Sequence, residues 1–378
     1  MERIFKGSID PKKVKIRKAK LSDLSQLVEV ENLCFDYDQL SRRSFHWMIK
    51  HAHSIFLVLE YRTQVVGYGL VLINKGTSLA RLYSICTLKE FQGLGLGKKL
   101  LLELEDKASQ DEDCAYLRLE VKSNNTGAIG LYKNLGYVKF TQKENYYDDG
   151  ATAICFEKQI KKFKKSPRLL IPYHQQGTDF TCGPSCLLMA IQAFNPNYKM
   201  TLSQELQIWR EATTIFMTSG HGGCGPQGLA LAAWNRGYRA ELYLSHAHTM
   251  FLESVRSSEK KKIIELVQKD FEKKIQDTNI KIHKKRMTLS DLKEIINKGG
   301  VAIVLITTYH FYKSRAPHWV VVTAYDDGFV YIHDPDQEWD HDTVISRVHV
   351  PIPEEQFVKI SRWGKSKSAA TVAIFKKF

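Results

Sequence analysis

The sequence contains no CxxC pair and no set of Cys and His residues at zinc-binding spacing. Its seven cysteines are odd in number and scattered. A disulfide framework and a structural metal site are therefore not expected, and a reducing compartment is. Met1 to Lys20 alternates charged with apolar residues and lacks an apolar core, which argues against a signal peptide or a membrane span. Internal repeats and low-complexity segments are missing as well. Together these absences predict a cytoplasmic protein that works without a membrane or a metal.

What is present is apolar residues and positive charge. The 378 residues are 43% hydrophobic and 11% aromatic, enough for two cores, and exceed the usual size of one domain. The net charge of +14 raises a nucleic-acid or ribosomal partner. The lysines nevertheless fall in short dispersed runs: Lys161, Lys162, Lys164 and Lys165, then Lys260 to Lys262, then Lys273, Lys274, Lys284 and Lys285. Without interleaved aromatics these read as solvated faces, so nucleic acid is not favoured.

Hydrophobic periodicity lays out the first 160 residues as a mixed α/β domain. Strands are predicted at Val14 to Ala19, Ser54 to Tyr61, Val65 to Asn74, Ala80 to Thr87, Tyr116 to Lys122, Tyr137 to Tyr147 and Ala151 to Lys158. Helices are predicted from a Ser22 cap to Cys34, over Ser41 to His51, Gly97 to Ala108 and Thr126 to Leu135. Residues 161–168, lysine-rich and proline-ended, read as a linker. Residues 169–378 form a second domain. It opens with a short strand Leu169 to Tyr173 and a helix after Cys182, and continues through a charged helical stretch Leu252 to Gln276. Its end is strand-rich: Ala302 to Thr308, Trp319 to Tyr325, Phe329 to His333 and Thr371 to Phe375.

Gln92-Gly93-Leu94-Gly95-Leu96-Gly97 lies between an apolar strand and an amphipathic helix, so backbone N–H groups can approach an anion at a helix N-terminus. A diphosphate is the natural ligand. A dinucleotide fingerprint would need Gly at Lys98, and a Walker loop would need Gly at Gln92 and a hydroxyl at Lys99. Farther on stand Glu120-Val121-Lys122, then Asn125-Thr126-Gly127-Ala128-Ile129-Gly130-Leu131-Tyr132, then Gly136-Tyr137. With the glycine turn, these stretches resemble the GNAT acetyltransferase superfamily over residues 14 to 158, and are similar to its ribosomal-protein alanine acetyltransferases. The resemblance implies acetyl-CoA as cofactor and an amine of a peptide or protein as acceptor. It implies that Gln92, Gly93, Leu94, Gly95, Leu96 and Gly97 hold the pyrophosphate. It further implies that the backbone of Ile85 and Thr87 grips the pantetheine and acetyl carbonyl, and that Asn125 contacts the cofactor arm. Tyr132 matches the general acid and Glu120 the general base, with ordered water an alternative to the carboxylate.

The second domain carries Gln175-Gln176-Gly177-Thr178-Asp179-Phe180-Thr181-Cys182-Gly183-Pro184-Ser185-Cys186 before an apolar run. Pro184 suits a first helical turn, which sets Cys182 at a helix N-terminus, where the dipole and a nearby imidazolium favour a thiolate. Cys186, one turn on, reads as core. Asp326-Asp327-Gly328 is a hairpin turn, and His318 and Asp334 are symmetric about position 326, so a carboxylate would face an imidazole there. His310 and His333 read as structural. The segments Gln176 to Cys186 and Pro317 to Pro335 resemble the double-glycine-leader cysteine peptidases of bacteriocin-exporting transporters, in a variant fused behind a GNAT domain. That resemblance implies a papain-like fold with Cys182, His318 and Asp334 as triad and Gln176 as oxyanion-hole donor, Gln175 being the register alternative. A second Cys-Gly-Pro at Cys224-Gly225-Pro226, after His221, is a rival nucleophile and reads more simply as a helix start.

The expected architecture is thus an α/β GNAT fold followed by an α+β papain-like cysteine-peptidase domain. The expected protein is a bifunctional enzyme, an N-acetyltransferase joined to a thiol peptidase. A peptide-binding module that has lost catalysis is the alternative for the second domain, and a basic ribosome-associated protein is a third reading.

Overall fold

The computed structural model describes residues 9–147, 149–161, 170–213, 222–245, 250–252, 255, 257–308, 316–326, 328–336 and 344–377. Lys162, Lys164, Lys165, His221 and His310 lie outside the described residues. Two compact units are present, Met1–Lys162 and Phe163–Phe378.

The first unit contains β1 (Lys15–Lys18), α1 (Leu24–Cys34), α2 (Arg42–Lys50), β2 (Ser54–Tyr61), β3 (Gln64–Ile73), β4 (Leu79–Thr87) and α3 (Leu96–Gln110). It continues with β5 (Tyr116–Lys122), α4 (Thr126–Asn134), β6 (Val138–Lys143) and β7 (Ala153–Gln159). The sheet runs β1-β2-β3-β4-β5-β7-β6, with β4 and β5 parallel and the other neighbours antiparallel. Alternation along β2 decides which helices cover which face. Phe56 and Val58 pack with Leu27, Phe45 and Met48 of α1 and α2, while Leu57 and Leu59 pack with Leu100, Leu101 and Leu104 of α3. The β2–β3 turn places Arg62 and Thr63 at φ 48 and 70, the left-handed pair that a two-residue hairpin requires.

Two features open this sheet. The parallel β4–β5 ladder joins Leu79–Leu82 to Tyr116–Leu119, whereas β4 continues to Thr87 and β5 to Lys122. On the other side of β4 a register shift lies between Leu70 and Val71, with Leu70 opposite Ser84 and Val71 opposite Leu82. A bulge of this kind bends a strand away from its neighbour. The expected Ser22 cap is corrected: Ser22 sits inside a 3₁₀ turn, Leu21–Asp23, and α1 begins at Leu24. Asp23 turns its carboxylate to Arg17, at 2.7 Å, and to the Lys20 N–H. The strand expected to reach Tyr147 ends at Lys143.

The second unit contains α5 (Cys182–Phe194), α6 (Leu202–Ala212), α7 (Pro226–Asn235), β8 (Tyr238–Leu244), α8 (Ser258–Gln276), β9 (Lys281–His283) and α9 (Leu289–Asn297). Then come β10 (Val301–Thr307), β11 (Pro317–Asp326), β12 (Phe329–His333), β13 (Val350–Pro353), α10 (Glu354–Ile360) and β14 (Ala370–Lys377). Its sheet runs β13-β12-β11-β10-β14-β8-β9. One apolar cluster joins Leu187 and Ile191 of α5, Ile208 of α6 and Leu229 of α7 to Ile303, Leu305, Val321 and Val372 of the sheet. The short strand expected to end at Tyr173 is absent from the described residues 170–173. That segment is held by a side chain, His333 Nε2 donating to the Ile171 carbonyl at 2.8 Å, which gives His333 its structural role. The charged helix starts at Ser258, capped by Ser257, and not at Leu252. Among the described residues, no helix is long and apolar enough to cross a membrane, and no group of three potential ligands could hold a metal ion.

Two candidate active sites

In the first unit the chain turns at Gly93 and Gly95, both at φ +74, and Gly95 is the N-cap of α3. A residue with a Cβ rarely adopts that conformation. Gly97 has no such requirement, and a Cβ built at Gly93, Gly95 or Gly97 would meet nothing within 4 Å. Three bare positions thus border open space at a helix N-terminus, where N–H groups without helical partners and the dipole favour phosphate oxygens. Leu96 is buried and Leu94 half-buried against the core, which anchors the turn from beneath. Gln92 Nε2 donates to the Thr87 carbonyl at 3.2 Å and ties the turn back to β4. Ile85 and Thr87 lie on β4 beyond its ladder with β5, paired with Gly69 and Gly67 of β3. The residues present fit an extended acyl-pantetheine diphosphate: a cradle for its phosphates, then an opened strand edge for its amides.

Tyr132 projects from α4, 5% exposed and edge-on to Tyr137, and burial pushes its phenol up to about 12. It keeps its proton at neutral pH. Asn125 is exposed and caps α4, its Oδ1 accepting the Ala128 N–H at 3.1 Å. The Glu120 side chain, 5% exposed, lies beside Arg81, whose Nε donates to its Oε2 at 3.0 Å, and the Tyr146 hydroxyl donates to its Oε1 at 3.3 Å. Close by, the Lys122 ammonium lies 5.6 Å from the Tyr37 ring and 5.2 Å from the Tyr147 ring and pairs with Asp149 at 2.7 Å. Sequence reasoning missed Arg81, Tyr37, Tyr146 and Tyr147. The one available signal was a lone arginine in the apolar strand Leu79 to Leu82.

In the second unit Cys182 is the first residue of α5 and is 9% exposed. His318 is the second residue of β11, and Asp334 follows the last residue of β12. His318 Nε2 and Asp334 Oδ1 are 2.7 Å apart. The other ring nitrogen is left for sulfur, and a side-chain hydrogen bond with Cys182 is among the influences raising the imidazole. Their spacing predicts that the two residues oppose each other about position 326, and they do not. Asp326 pairs with Phe329, and a bulge between Val322 and Ala324 shifts the register so that Val321 opposes His333. Extended by one residue, this sets Val320 opposite Asp334, and His318 reaches the carboxylate diagonally.

Burial works against the charged imidazolium, but Asp334 outweighs it and holds His318 well above the ordinary histidine value. Burial would likewise raise Asp334, yet the His318 charge, its hydrogen bond and Arg347 bring the carboxyl down to about 2. Arg347 is fully buried, with Nη1 3.3 Å from Asp334 Oδ2. A lowered carboxyl contributes stability above its unfolded value and loses it as pH falls through the folded one; a raised imidazole contributes below its unfolded value and loses it as pH rises. The thermal-midpoint gap between wild type and Asp334→Asn is therefore expected to be widest between about pH 4 and 6.5. It should close toward pH 2. A gap independent of pH would show that the pair carries no such linkage.

The loop before Cys182 is fastened from beneath by Glu205 of α6. Its buried carboxylate accepts from Gly177 N–H at 2.8 Å and from the Thr181 hydroxyl, and lies 3.0 Å from His174 Nε2. Gln176 is 3% exposed. Cys186 is fully buried and donates to the Trp319 carbonyl. Cys224 is 2% exposed, its carbonyl accepts from Trp319 Nε1 at 3.0 Å, and burial pushes its thiol well above the ordinary range. A thiol, an imidazole and a carboxylate are the elements of nucleophilic acyl chemistry.

A mixed sheet splayed between its parallel strands, with a bare-glycine turn leading into α3, defines the first unit as a GNAT acetyltransferase fold; the second is a mixed α/β unit built around a thiol–imidazole–carboxylate line. The chain belongs to the Peptidase_C39 like family, whose profile matches residues 171–375, and its first unit belongs to the acetyltransferase (GNAT) family, matched over residues 22–137. Relatives of the first unit include an uncharacterized N-acetyltransferase of Methanocaldococcus jannaschii, 32% identical over 41% of this chain and 97% of that protein. An N-alpha-acetyltransferase of Sulfurisphaera tokodaii is 28% identical over 38% of this chain and 90% of its own length. A putative ribosomal protein bS18-alanine N-acetyltransferase of Bacillus subtilis is 27% identical over 36% and 89%. The crystal structure of the Escherichia coli ribosomal-protein-S18-alanine N-acetyltransferase aligns at 25% identity over 41% of this chain and 98% of that one, with a TM-score of 0.37.

Proposed function

We propose that the protein is a bifunctional enzyme: the first unit transfers acetyl from acetyl-CoA to an amine of a peptide or protein, and the second cleaves an amide bond through Cys182. The observation that carries the first half is the open, side-chain-free turn at the N-terminus of α3, which packing alone does not require. The acceptor class is supported by the relatives, which include N-alpha-acetyltransferases and a ribosomal protein alanine acetyltransferase. Gln92 to Gly97 hold the diphosphate, and main-chain groups of Ile85 and Thr87 align the acyl arm. Asn125 caps α4 through its oxygen and turns its exposed amide to the cofactor. Acetyl-CoA supplies the activated acyl group. Tyr132, protonated at neutral pH, donates a proton to the departing thiolate. Glu120 draws in the acceptor's ammonium form and takes its proton, with Tyr146 as the adjoining hydroxyl.

In the second unit the imidazole accepts the thiol proton, Cys182 attacks the amide carbonyl, Gln176 donates to the oxyanion, and Asp334 orients the imidazole. The His318–Asp334 contact, with Cys182 among the groups that raise His318, supports an active site over a peptide-binding module.

Calorimetry with acetyl-CoA tests the first half. Gly95→Glu is expected to weaken binding by roughly a hundredfold or more, through charge and bulk against the diphosphate. Gly97→Glu should lose as much, and its backbone φ is ordinary and its Cβ direction open, so strain cannot account for the loss. Wild-type affinity in Gly97→Glu would place the cofactor elsewhere.

A further inference from the structure

Two carboxylates stand at the end of β12, and the proposed chemistry uses one. Asp334 Oδ1 receives His318 Nε2 at 2.7 Å and also the main-chain N–H of Asp336 at 3.0 Å. Asp336 in turn offers Oδ1 to Gln176 Nε2 at 3.2 Å, and the Gln176 main-chain N–H donates to the Pro335 carbonyl at 2.7 Å. The buried Gln176 Oε1 has no hydrogen-bond partner. A carboxamide can sit in such a place either way round, and its two ends have opposite chemistry. Reversed, it would set a carbonyl oxygen against a carboxylate, an arrangement that a low dielectric makes costly. The amide nitrogen carries two hydrogens, of which Asp336 takes one and leaves the other.

We propose that Asp336 is the positioning residue of the oxyanion hole: it fixes the NH2 end of Gln176 as the end presented to the reacting carbonyl oxygen, and its main chain joins that donor to the triad carboxylate. This rests on the reading of Cys182 as a nucleophile and Gln176 as its oxyanion donor. A carboxylate so near a developing oxyanion would oppose it, and Arg347 answers that objection. Its buried Nη1 lies 3.3 Å from Asp334 Oδ2 and 3.9 Å from Asp336 Oδ2, so one guanidinium offsets charge on both. The imidazole and the oxyanion donor are thereby aimed by neighbouring residues of one strand end.

The test compares two reactions of the full chain. Alkylation of Cys182 by iodoacetamide forms no oxyanion. Addition of the thiol to a small peptide aldehyde, acetyl-Gly-glycinal, forms a carbon–sulfur bond as the carbonyl opens, and the oxygen that takes the proton occupies the oxyanion position. Asp336→Ala is expected to alkylate within about twofold of wild type and to bind the aldehyde roughly tenfold or more weakly, as a misaimed oxyanion donor would. Gln176→Ala should weaken the aldehyde at least as much, and the double variant no further, because both changes remove one device. Asp336→Asn retains an acceptor oxygen and is expected to recover most of the affinity. Wild-type aldehyde affinity in Asp336→Ala, an additive double variant, or parallel loss of alkylation and aldehyde binding would overturn the assignment, the last marking Asp336 as merely structural. A wild type that alkylates at Cys182 and takes no aldehyde would remove the oxyanion hole; one that does not alkylate would instead remove the nucleophile, and with it the reading beneath.

Discussion

Iodoacetamide at mildly acidic pH is expected to alkylate Cys182 and to leave Cys224 and Cys186 unmodified. An ordinary thiol is almost wholly protonated there and reacts slowly, whereas a helix N-terminus and a neighbouring imidazolium stabilise the charge that develops on sulfur as it attacks. The imidazolium persists because Asp334 holds His318 well above the ordinary histidine value. Cys186 and Cys224 are pushed the other way by burial. Since exposure alone would also rank Cys182 above these two, the deciding arm is His318→Ala, which should slow labelling by about tenfold or more. Asp334→Asn should slow it less, the carboxylate acting through the imidazole. Cys34 provides an internal reference: hydrogen bonding from Cys86 lowers its thiol despite burial. Mass-resolved peptide mapping reads all of these at once. Labelling of Cys182 that ignores His318, or preference for Cys224, would dissolve the triad and leave a peptide-binding module.

Replacing Tyr132 with Phe is expected to leave acetyl-CoA affinity within about twofold and to lower turnover on an acetylated peptide by roughly a hundredfold, the usual worth of a positioned general acid. The ring stays packed against Tyr137 and Phe156, so the binding surface persists while the donated proton is lost. A phenol raised to about 12 remains protonated across the working range. Turnover limited by this acid should therefore show no alkaline fall below about pH 10, the ordinary phenol value. Wild-type turnover in Tyr132→Phe would remove the acid from Tyr132.

Much of both sites was legible in the sequence because it is local. Gly93 and Gly95 announce a left-handed turn whatever surrounds them, and Pro184 places Cys182 at a helix start through its own ring. The strands Ser54–Tyr61, Tyr116–Lys122 and Phe329–His333 follow from short runs rich in apolar residues. The membership of each half followed from the same short-range motifs. Less was legible wherever partners are distant. The diagonal contact of His318 with Asp334 depends on a bulge within β11, which no symmetry about position 326 could supply.

Arg81 reaches Glu120 across 39 residues and Gln176 reaches Asp336 across 160, so neither pair is marked by spacing. Local backbone chemistry belongs to the residue itself, and the sequence alone determined the helix start at Cys182, the glycine turn and the residue types at each site. The tertiary structure decided which charge neutralises which, which end of an amide faces inward and which thiol stays buried. Those are properties of what the fold brings within about 4 Å, where attraction in a low dielectric outweighs the preference of any single residue.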